Sequence, residues 1–291
     1  MSFTLVKSPA VWNIPSSEPA CIEAELYLQL ATKELNKSES KTRFTTVENK
    51  YCTHQLTVTH ANANSLPVLI DAATVVPATQ VITYLKNNFY NFDESLPVET
   101  HPDLATYRIA LEKLYVAIEF LNTIDNVDTV YAKGANWFVR KFLQSRHSAD
   151  VAKLAHAAHI FTHEDALLAV SRILYIFALK METAEYLFGS LSSIDIGLAA
   201  AVLVLIASSP MTAALVYNYF PALAASAHRI AAASELPSYT FTPDLHAISR
   251  SYVVKVNALI QVCTAKFTRV MCMVSVSPLQ SLHVFSGHKV T

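Results

Sequence analysis

The chain has 291 residues; 52% are hydrophobic, 15% are charged, and 22 basic against 23 acidic residues leave a formal net charge of −1. This balance excludes the basic field that nucleic-acid binding requires, and four glycines are too few for glycine-rich phosphate loops. The four cysteines form no Cys-x-x-Cys pair, and the N-terminus has no secretory signal pattern. A reducing compartment is therefore expected.

The first third of the sequence predicts a small α/β domain. Ser17 before Glu18-Pro19 is typical of a helix start, because proline is tolerated in the first turn. Apolar residues then recur at helical spacing. The predicted elements are a strand at 3–6, a helix at 21–35, a loop at 36–50, a strand at 56–59, two short strands from 66, and a helix at 78–88. This β-α-β-β-β-α order predicts a thioredoxin-like domain over residues 1–92.

The rest of the sequence predicts helices only. Prolines and acids cluster at 93–103, which marks a domain boundary. Helices are predicted at 103–123, 128–147, 149–160, 163–180, 193–208 and 211–233. We therefore expect an all-helical domain over residues 103–250, followed by a tail at 251–291.

Three histidines and two acids are the strongest candidates for a metal site: His156, His159, His163, Glu164 and Asp165. Imidazole is a good zinc ligand, and these spacings could share one helical face. No His-Glu-x-x-His pattern is present, however, and Thr162 predicts a new helix start that would break the shared face. We therefore favour a solvated surface over a metal site.

Two segments have features found in membrane-associated proteins. A basic group lies beside Trp137 and Phe138, and could contact anionic lipid or a partner protein, although an ordinary exposed helix face is the simpler explanation. Its members are Lys133, Arg140, Lys141 and Arg146. Residues 196–227 carry no charge and are long enough to span a bilayer. Pro210 and Pro221 divide this run, so a buried core helix followed by a second packed helix is expected.

Two features resemble the glutathione-transferase fold. The first is Leu66-Pro67 with the helix after it, since such domains carry a cis-proline at this point. The second is Tyr186-Leu187-Phe188-Gly189 followed by Ser192 and Asp195. In this fold a capping box opens the buried core helix: Ser192 would accept from the N–H three residues on, and Asp195 from the Ser192 N–H. The resemblance implies structural roles for Pro67, Ser192 and Asp195.

Other stretches resemble one family within this fold, the metaxins. Trp12-Asn13-Ile14-Pro15-Ser16 resembles the Trp-Gly-Leu-Pro-Ser start of metaxins, with Asn13 where the family usually has glycine. Val-Pro-Ala-Thr-Gln-Val-Ile-Thr-Tyr-Leu-Lys at 76–86, followed by Tyr90-Asn91-Phe92-Asp93, also resembles the metaxin pattern. The resemblance extends over residues 3–235.

The transferase resemblance also implies that the glutathione site is lost. In transferases an acid–hydroxyl pair after the cis-proline holds the γ-glutamyl end of glutathione, and the aligned positions here are Pro77 and Ala78. Neither side chain can form a hydrogen bond, and proline has no N–H. Ser16, Ser17 and Cys21 lie where a transferase keeps its thiol-activating residue, and helix capping is the favoured explanation of the hydroxyls. A divergent glutathione transferase remains the alternative.

The metaxin resemblance implies a non-enzymatic role in the mitochondrial outer-membrane sorting and assembly machinery, as its larger metaxin-like subunit. Such a subunit assists insertion and release of β-barrel precursors at the cytosolic face of the mitochondrial outer membrane. The implied partners are a membrane-embedded β-barrel assembly subunit, a second metaxin-like subunit, β-barrel precursors and the membrane surface. No cofactor, metal or nucleic acid is implied.

The tail is apolar over 252–277 but contains Lys255, Lys266 and Arg269. Charges centred in a bilayer cost roughly 2.5–3.5 kcal/mol each on insertion scales. We therefore expect the tail to form an amphipathic helix on the helical domain, on a partner or on the membrane surface, without spanning the membrane.

Overall fold

The computed structural model describes residues 2–36, 43–48, 66–72, 74–130, 136–182 and 184–235, together with Val254, Asn257, Ala258 and Gln261. The strands are β1 (Ser2–Lys7), β2 (Arg43–Glu48), β3 (Val68–Asp71) and β4 (Thr74–Val76). The helices are α1 (Pro19–Asn36), α2 (Val81–Asn88), α3 (His101–Val130), α4 (Trp137–Ala157), α5 (His163–Met181), α6 (Ser193–Ser208), α7 (Pro210–Tyr219) and α8 (Pro221–Ser234). The predicted class, an α/β thioredoxin-like part followed by an all-helical part, is confirmed.

The four strands form one mixed sheet in the order β2-β1-β3-β4. β1 runs parallel to β2 and antiparallel to β3, which pairs antiparallel with β4. Leu5 of β1 lies opposite Leu69 of β3, and both are fully buried. They belong to the same continuous apolar cluster as Leu111 of α3 and Leu203 of α6, so the sheet and the helices share one core.

The N-terminal elements depart from prediction at one strand. The loop predicted at 36–50 is wrong in part, because β2 occupies Arg43–Glu48. Its residues at 45–47 are exposed, so this edge strand shows no apolar alternation and depends on hydrogen bonds to β1. The strand predicted at 56–59 lies outside the described residues. The helix predicted at 78–88 begins as a 3₁₀ turn, Ala78–Gln80, before α2.

Helix boundaries also differ in the second part. The predicted helices 103–123, 128–147 and 149–160 are wrong as separate elements, because α3 runs unbroken over His101–Val130 and α4 over Trp137–Ala157. Two asparagines in the second half of α3 make tertiary hydrogen bonds. Asn122 Nδ2 donates to Ser17 O and Asn126 Nδ2 donates to Ser208 O, each at 3.3 Å. The helix can therefore continue through them.

The uncharged run 196–227 is divided among three helices. α6 matches its predicted bounds, and its residues from Ser193 to Ile206 are all buried, as expected of a core helix. The single helix predicted at 211–233 is wrong, because Pro221 begins α8 after α7 ends at Tyr219. Proline lacks the N–H that would continue a helix. Among the helices in the described ranges, none has both the length and the apolarity needed to cross a membrane.

Candidate functional site

The metaxin-like opening forms a tight turn before α1. Val11 and Ile14 exchange backbone hydrogen bonds of 3.1 and 2.9 Å, and the two residues between them, Trp12 and Asn13, have φ values of 52° and 61°. Asparagine tolerates this left-handed conformation better than most residues, although glycine adopts it most easily. The departure at Asn13 is therefore conservative in backbone terms.

The residues predicted near a thiol-activating position lie at the start of α1, deep in the protein. Ser16 Oγ accepts a hydrogen bond from the Glu18 N–H at 3.1 Å, as expected of a hydroxyl that supports a helix start. Ser17 Oγ is buried and has no hydrogen-bond partner within the described part of the chain. Cys21 is completely buried, with its Sγ 3.5 Å from Glu18 Oε2 and 3.6 Å from Ser8 Oγ.

The environment of Cys21 opposes a thiolate. Burial raises the pKa of the Cys21 thiol well above its ordinary value, and the neighbouring Glu18 carboxylate raises it further. Ionisation of a thiol is the step that makes it nucleophilic. Cys21 is therefore held as a neutral apolar side chain in this structure.

Sequence reasoning missed a pair of interacting acids beside this thiol. Burial raises the pKa of Glu18. It also raises that of Glu119, on α3, to about 8, with a further contribution from the charge of Glu18. A glutamate within the apolar pattern of α3 was the signal in the sequence, but its partner could not be inferred from it. The raised pKa of Glu119 favours its protonated form at pH values below about 8.

The segment that resembles the glutathione-facing loop of transferases has a cis-proline and an uncapped turn before α2. The Leu66-Pro67 peptide bond is cis, as the resemblance implied. Pro77 occupies the N-cap position of the turn before α2, and no side chain caps that turn. Ala78 follows as the first residue of the turn. The positions that would hold a γ-glutamyl group therefore offer no side-chain hydrogen bond.

The start of α6 carries the predicted capping box and one further acid. Asp195 N–H donates to Ser192 Oγ at 3.2 Å, and Ser192 N–H donates to Asp195 Oδ2 at 3.0 Å. Asp93 also binds this helix end, accepting at 2.8 Å from both the N–H and the hydroxyl of Ser193. Lys86 of α2 lies 2.6 Å from Asp93. Asp93 thus links the segment between the two parts to the core helix.

Ionisation of Asp93 is supported by its partners. Burial opposes the charge, but the hydrogen bond and charge of Lys86, with the hydrogen bonds from Ser193, hold the pKa of Asp93 below its ordinary value. Asp195 differs, because burial raises its pKa despite the hydrogen bonds it accepts. The two acids at one helix end therefore have opposite pKa shifts.

A second link joins α1 to α3 and α6. Glu23 is almost fully buried, and Arg108 of α3 forms an ion pair with it. The Tyr115 hydroxyl lies 2.9 Å from Glu23 Oε2 and 3.0 Å from the carbonyl of Gly197. This network connects α1 of the N-terminal part to α3 and α6 of the helical part.

The histidines are not brought together. The ring centroids of His156 and Phe161 lie 5.2 Å apart with the rings tilted by 40°, and His159 lies in the turn after α4 with φ at 61°. His163 begins α5, and its Nε2 lies 3.2 Å from Asp125 Oδ2. The helix start predicted at Thr162 is confirmed by a complete capping box with Asp165. Among the described residues, no three His, Cys, Asp or Glu side chains could hold one metal ion.

The predicted basic group and one groove lie on the surface. Of the basic group, Lys133 lies outside the described residues, while Arg140, Lys141 and Arg146 lie on α4. A groove of about 410 Å³ lies elsewhere, and no residue predicted for thiol chemistry lines it. Its lining residues are Glu34, Tyr90, Asn91, Phe92, Glu94, Ser95 and Leu191.

Comparison with known proteins identifies the fold. No protein-family model matches the sequence, and no curated protein matches it. A glutathione transferase from Phanerochaete chrysosporium, GSTFuA3, matches with a TM-score of 0.55 and 16% identity, over 81% of this chain and 98% of that chain. The β-etherase LigF from Sphingobium sp. strain SYK-6 matches with a TM-score of 0.53 and 14% identity, over 82% of this chain and 97% of that chain.

This chain has the glutathione-transferase fold. At identities this low the likeness carries the fold alone, because one fold hosts many functions. Within the transferase fold, the cis-proline and the α6 capping box are present. Pro77 and Ala78 lie at the turn before α2, and Cys21 is buried near the start of α1.

Proposed function

We propose that this chain is a non-enzymatic subunit of the mitochondrial outer-membrane sorting and assembly machinery, its larger metaxin-like subunit. It works at the cytosolic face of that membrane, beside a membrane-embedded β-barrel subunit and a second metaxin-like subunit. There it assists insertion and release of β-barrel precursors. It requires no cofactor.

The observation that carries the proposal is a transferase scaffold with Pro77 and Ala78 at the two positions that the resemblance assigns to the γ-glutamyl contact. Pro77 and Ala78 follow the cis-proline strand and provide no side-chain hydrogen bond. The buried Cys21 thiol has a raised pKa, which opposes nucleophilic chemistry at the start of α1. The metaxin-like stretches at 12–16 and 76–93 favour this family among the many users of the fold.

The proposal is tested by purification of the tagged full-length chain from mitochondria dissolved in mild detergent. A membrane-embedded β-barrel subunit and a second metaxin-like chain should co-purify. A tagged unrelated transferase of the same fold serves as the control and should recover neither. Recovery of the chain without either partner would contradict the assignment.

A second experiment tests the alternative, a divergent glutathione transferase. The purified chain should pass through immobilised glutathione and should not conjugate glutathione to a generic electrophile. Turnover that disappears in Ser17→Ala or Cys21→Ala, with the fold retained, would establish the transferase instead.

A further inference from the structure

The first two turns of α4 expose three large aromatic side chains. Trp137 is 66% exposed, Phe138 75% and Phe142 63%. Single exposed apolar residues are common on soluble proteins, but contiguous apolar patches mark interaction sites. We refer to these three residues as the aromatic patch.

The aromatic patch belongs to a helix that packs against the rest of the protein further along its length. Gln144, Val151 and Ala155 of α4 are buried, and Gln144 Nε2 donates to the carbonyl of Val127 on α3 at 3.1 Å. The helix start is capped by Asn136, whose Oδ1 accepts from the Val139 N–H at 3.0 Å. The patch is thus presented on an ordered helix end.

The charge around the aromatic patch has one predominant sign. The sequence from residue 129 to residue 149 contains no acid, but includes Lys133, Arg140, Lys141 and Arg146. This excess occurs in a chain whose net charge is −1. Anionic surfaces attract such basic segments when they lie close to the headgroups.

The neighbouring acids neutralise only part of this charge. Asp128 of α3 contacts Lys141, with 2.9 Å between Oδ1 and Nζ. Asp125, one turn earlier, contacts His163 of α5 at 3.2 Å. Arg146 is exposed on α4. Positive charge therefore remains beside the aromatic side chains.

We infer that residues 137–146 are a membrane-docking surface that inserts the aromatic patch into the interface of a bilayer containing anionic lipids. Tryptophan is favoured at the headgroup level because its ring is apolar and its N–H remains near water. Lys141 and Arg146 lie beside the inserted rings and contact lipid phosphates. The inference deepens the proposed function and rests on it only for which membrane is bound.

Vesicle binding by the purified full-length chain tests this surface. Vesicles of phosphatidylcholine with phosphatidylserine should bind the chain, and vesicles of phosphatidylcholine alone should bind it at least about tenfold more weakly. A variant with Trp137→Ser, Phe138→Ser and Phe142→Ser should lose at least about tenfold in affinity for the mixed vesicles. Circular dichroism should show that its helix content is unchanged.

A control variant changes exposed apolar residues elsewhere on the surface. Ile109 is 57% exposed and Leu179 49%, so the Ile109→Ser, Leu179→Ser variant should bind the mixed vesicles like the wild type. A Lys141→Gln, Arg146→Gln variant should lose the preference for phosphatidylserine. These results would assign both the aromatic and the electrostatic contribution to α4.

Tryptophan emission locates the contact independently. The chain has two tryptophans, and the emission shift on vesicle binding should disappear in Trp137→Phe, which keeps the apolar surface and the binding. The inference would be overturned if the chain bound neither vesicle type or if the triple serine variant bound like the wild type. It would also be overturned if the Ile109→Ser, Leu179→Ser control lost as much vesicle affinity as the triple serine variant. The vesicle experiment contains no mitochondrial partner protein. A negative result there would therefore not decide the outcome of the co-purification experiment that tests the proposed function.

Discussion

At the scale of single residues, Gly197 of α6 has no room for a side chain where it packs against α1 and α3. A Cβ at this position would lie 2.4 Å from Leu111 Cδ2, 2.9 Å from Glu23 Oε1 and 3.0 Å from Tyr115 Oη. We expect Gly197→Ala to lower the free energy of unfolding by about 1–3 kcal/mol, the usual cost of overpacking a core. Chemical denaturation measures this.

A double-mutant cycle separates the steric clash from other effects. Leu111→Ala removes the atom closest to the added Cβ, so the double variant should lose less stability than the sum of the two single variants. Simple additivity would show that the cost of Gly197→Ala does not arise from Leu111.

Glu119 should make the stability of the folded protein depend on pH. Burial, with the charge of Glu18, raises the pKa of Glu119 from its ordinary value of 4.5 to about 8 in the folded protein. Between these values the folded state keeps a proton that the unfolded state has lost. Stability therefore falls as the pH rises through this window, by at most about 1.4 kcal/mol per pH unit for this group.

The free energy of unfolding of the Glu119→Gln variant should depend less on pH than that of the wild type. The variant should exceed the wild type in stability by the largest amount near pH 8, about the pKa of Glu119 in the folded protein. Urea denaturation at several pH values between about 5 and about 8 measures this. Glu164→Gln, an exposed acid on α5, is the matched control and should follow the wild-type profile. Parallel curves for the wild type and Glu119→Gln would contradict the prediction.

At the scale of elements, the start of α6 depends on acids from two places in the chain. Asp195 closes the local capping box, while Asp93 reaches Ser193 from 100 residues away. Asp93→Ala and Asp195→Ala should each lower the free energy of unfolding by about 1–2 kcal/mol, because each leaves donors at the helix start without an acceptor. Thermal and chemical denaturation measure both losses.

Asp150→Ala is the matched control for these two variants. Asp150 forms an exposed contact of 3.4 Å with Lys153 on α4, and such pairs contribute only about 0–1 kcal/mol. Its melting temperature should remain close to that of the wild type. An Asp93→Ala variant as stable as this control would show that the link between α2 and α6 contributes nothing to stability.

At the scale of the whole molecule, the sheet and the helices should unfold together. Leu5 and Leu69 of the sheet lie in the same apolar cluster as Leu203 of α6, and Glu23 of α1 is paired with Arg108 of α3. In a Trp137→Phe variant the fluorescence comes from Trp12 alone and reports on the N-terminal part, while far-UV circular dichroism is dominated by the helices. The two denaturation curves should coincide.

Separate midpoints for the two signals would show that the N-terminal part unfolds independently. The comparison requires that Trp137→Phe itself is innocuous. Trp137 is largely exposed, so this substitution should shift stability by no more than about 0.5 kcal/mol.

The sequence by itself determined the features that depend on neighbours a few residues away. Both predicted helix starts, at Thr162 and Ser192, have the expected capping box, because the bonded atoms lie within three residues of each other. The bounds of α6 and the break at Pro210 followed from the same local rules. The two-part transferase fold could be predicted because these local signals occur in a distinctive order.

Tertiary structure decided what depends on residues far apart in the chain. The side chains at 45–47 of β2 are exposed, and the strand pairs in parallel with β1 along its whole length. α3 continues past Asn122 and Asn126 because Ser17 and Ser208 accept their hydrogen bonds. The raised pKa of Glu119 likewise comes mainly from burial in the folded chain, with a further contribution from Glu18, about a hundred residues earlier in the sequence. Such contacts form only when the chain has folded, so local residue patterns do not reveal them.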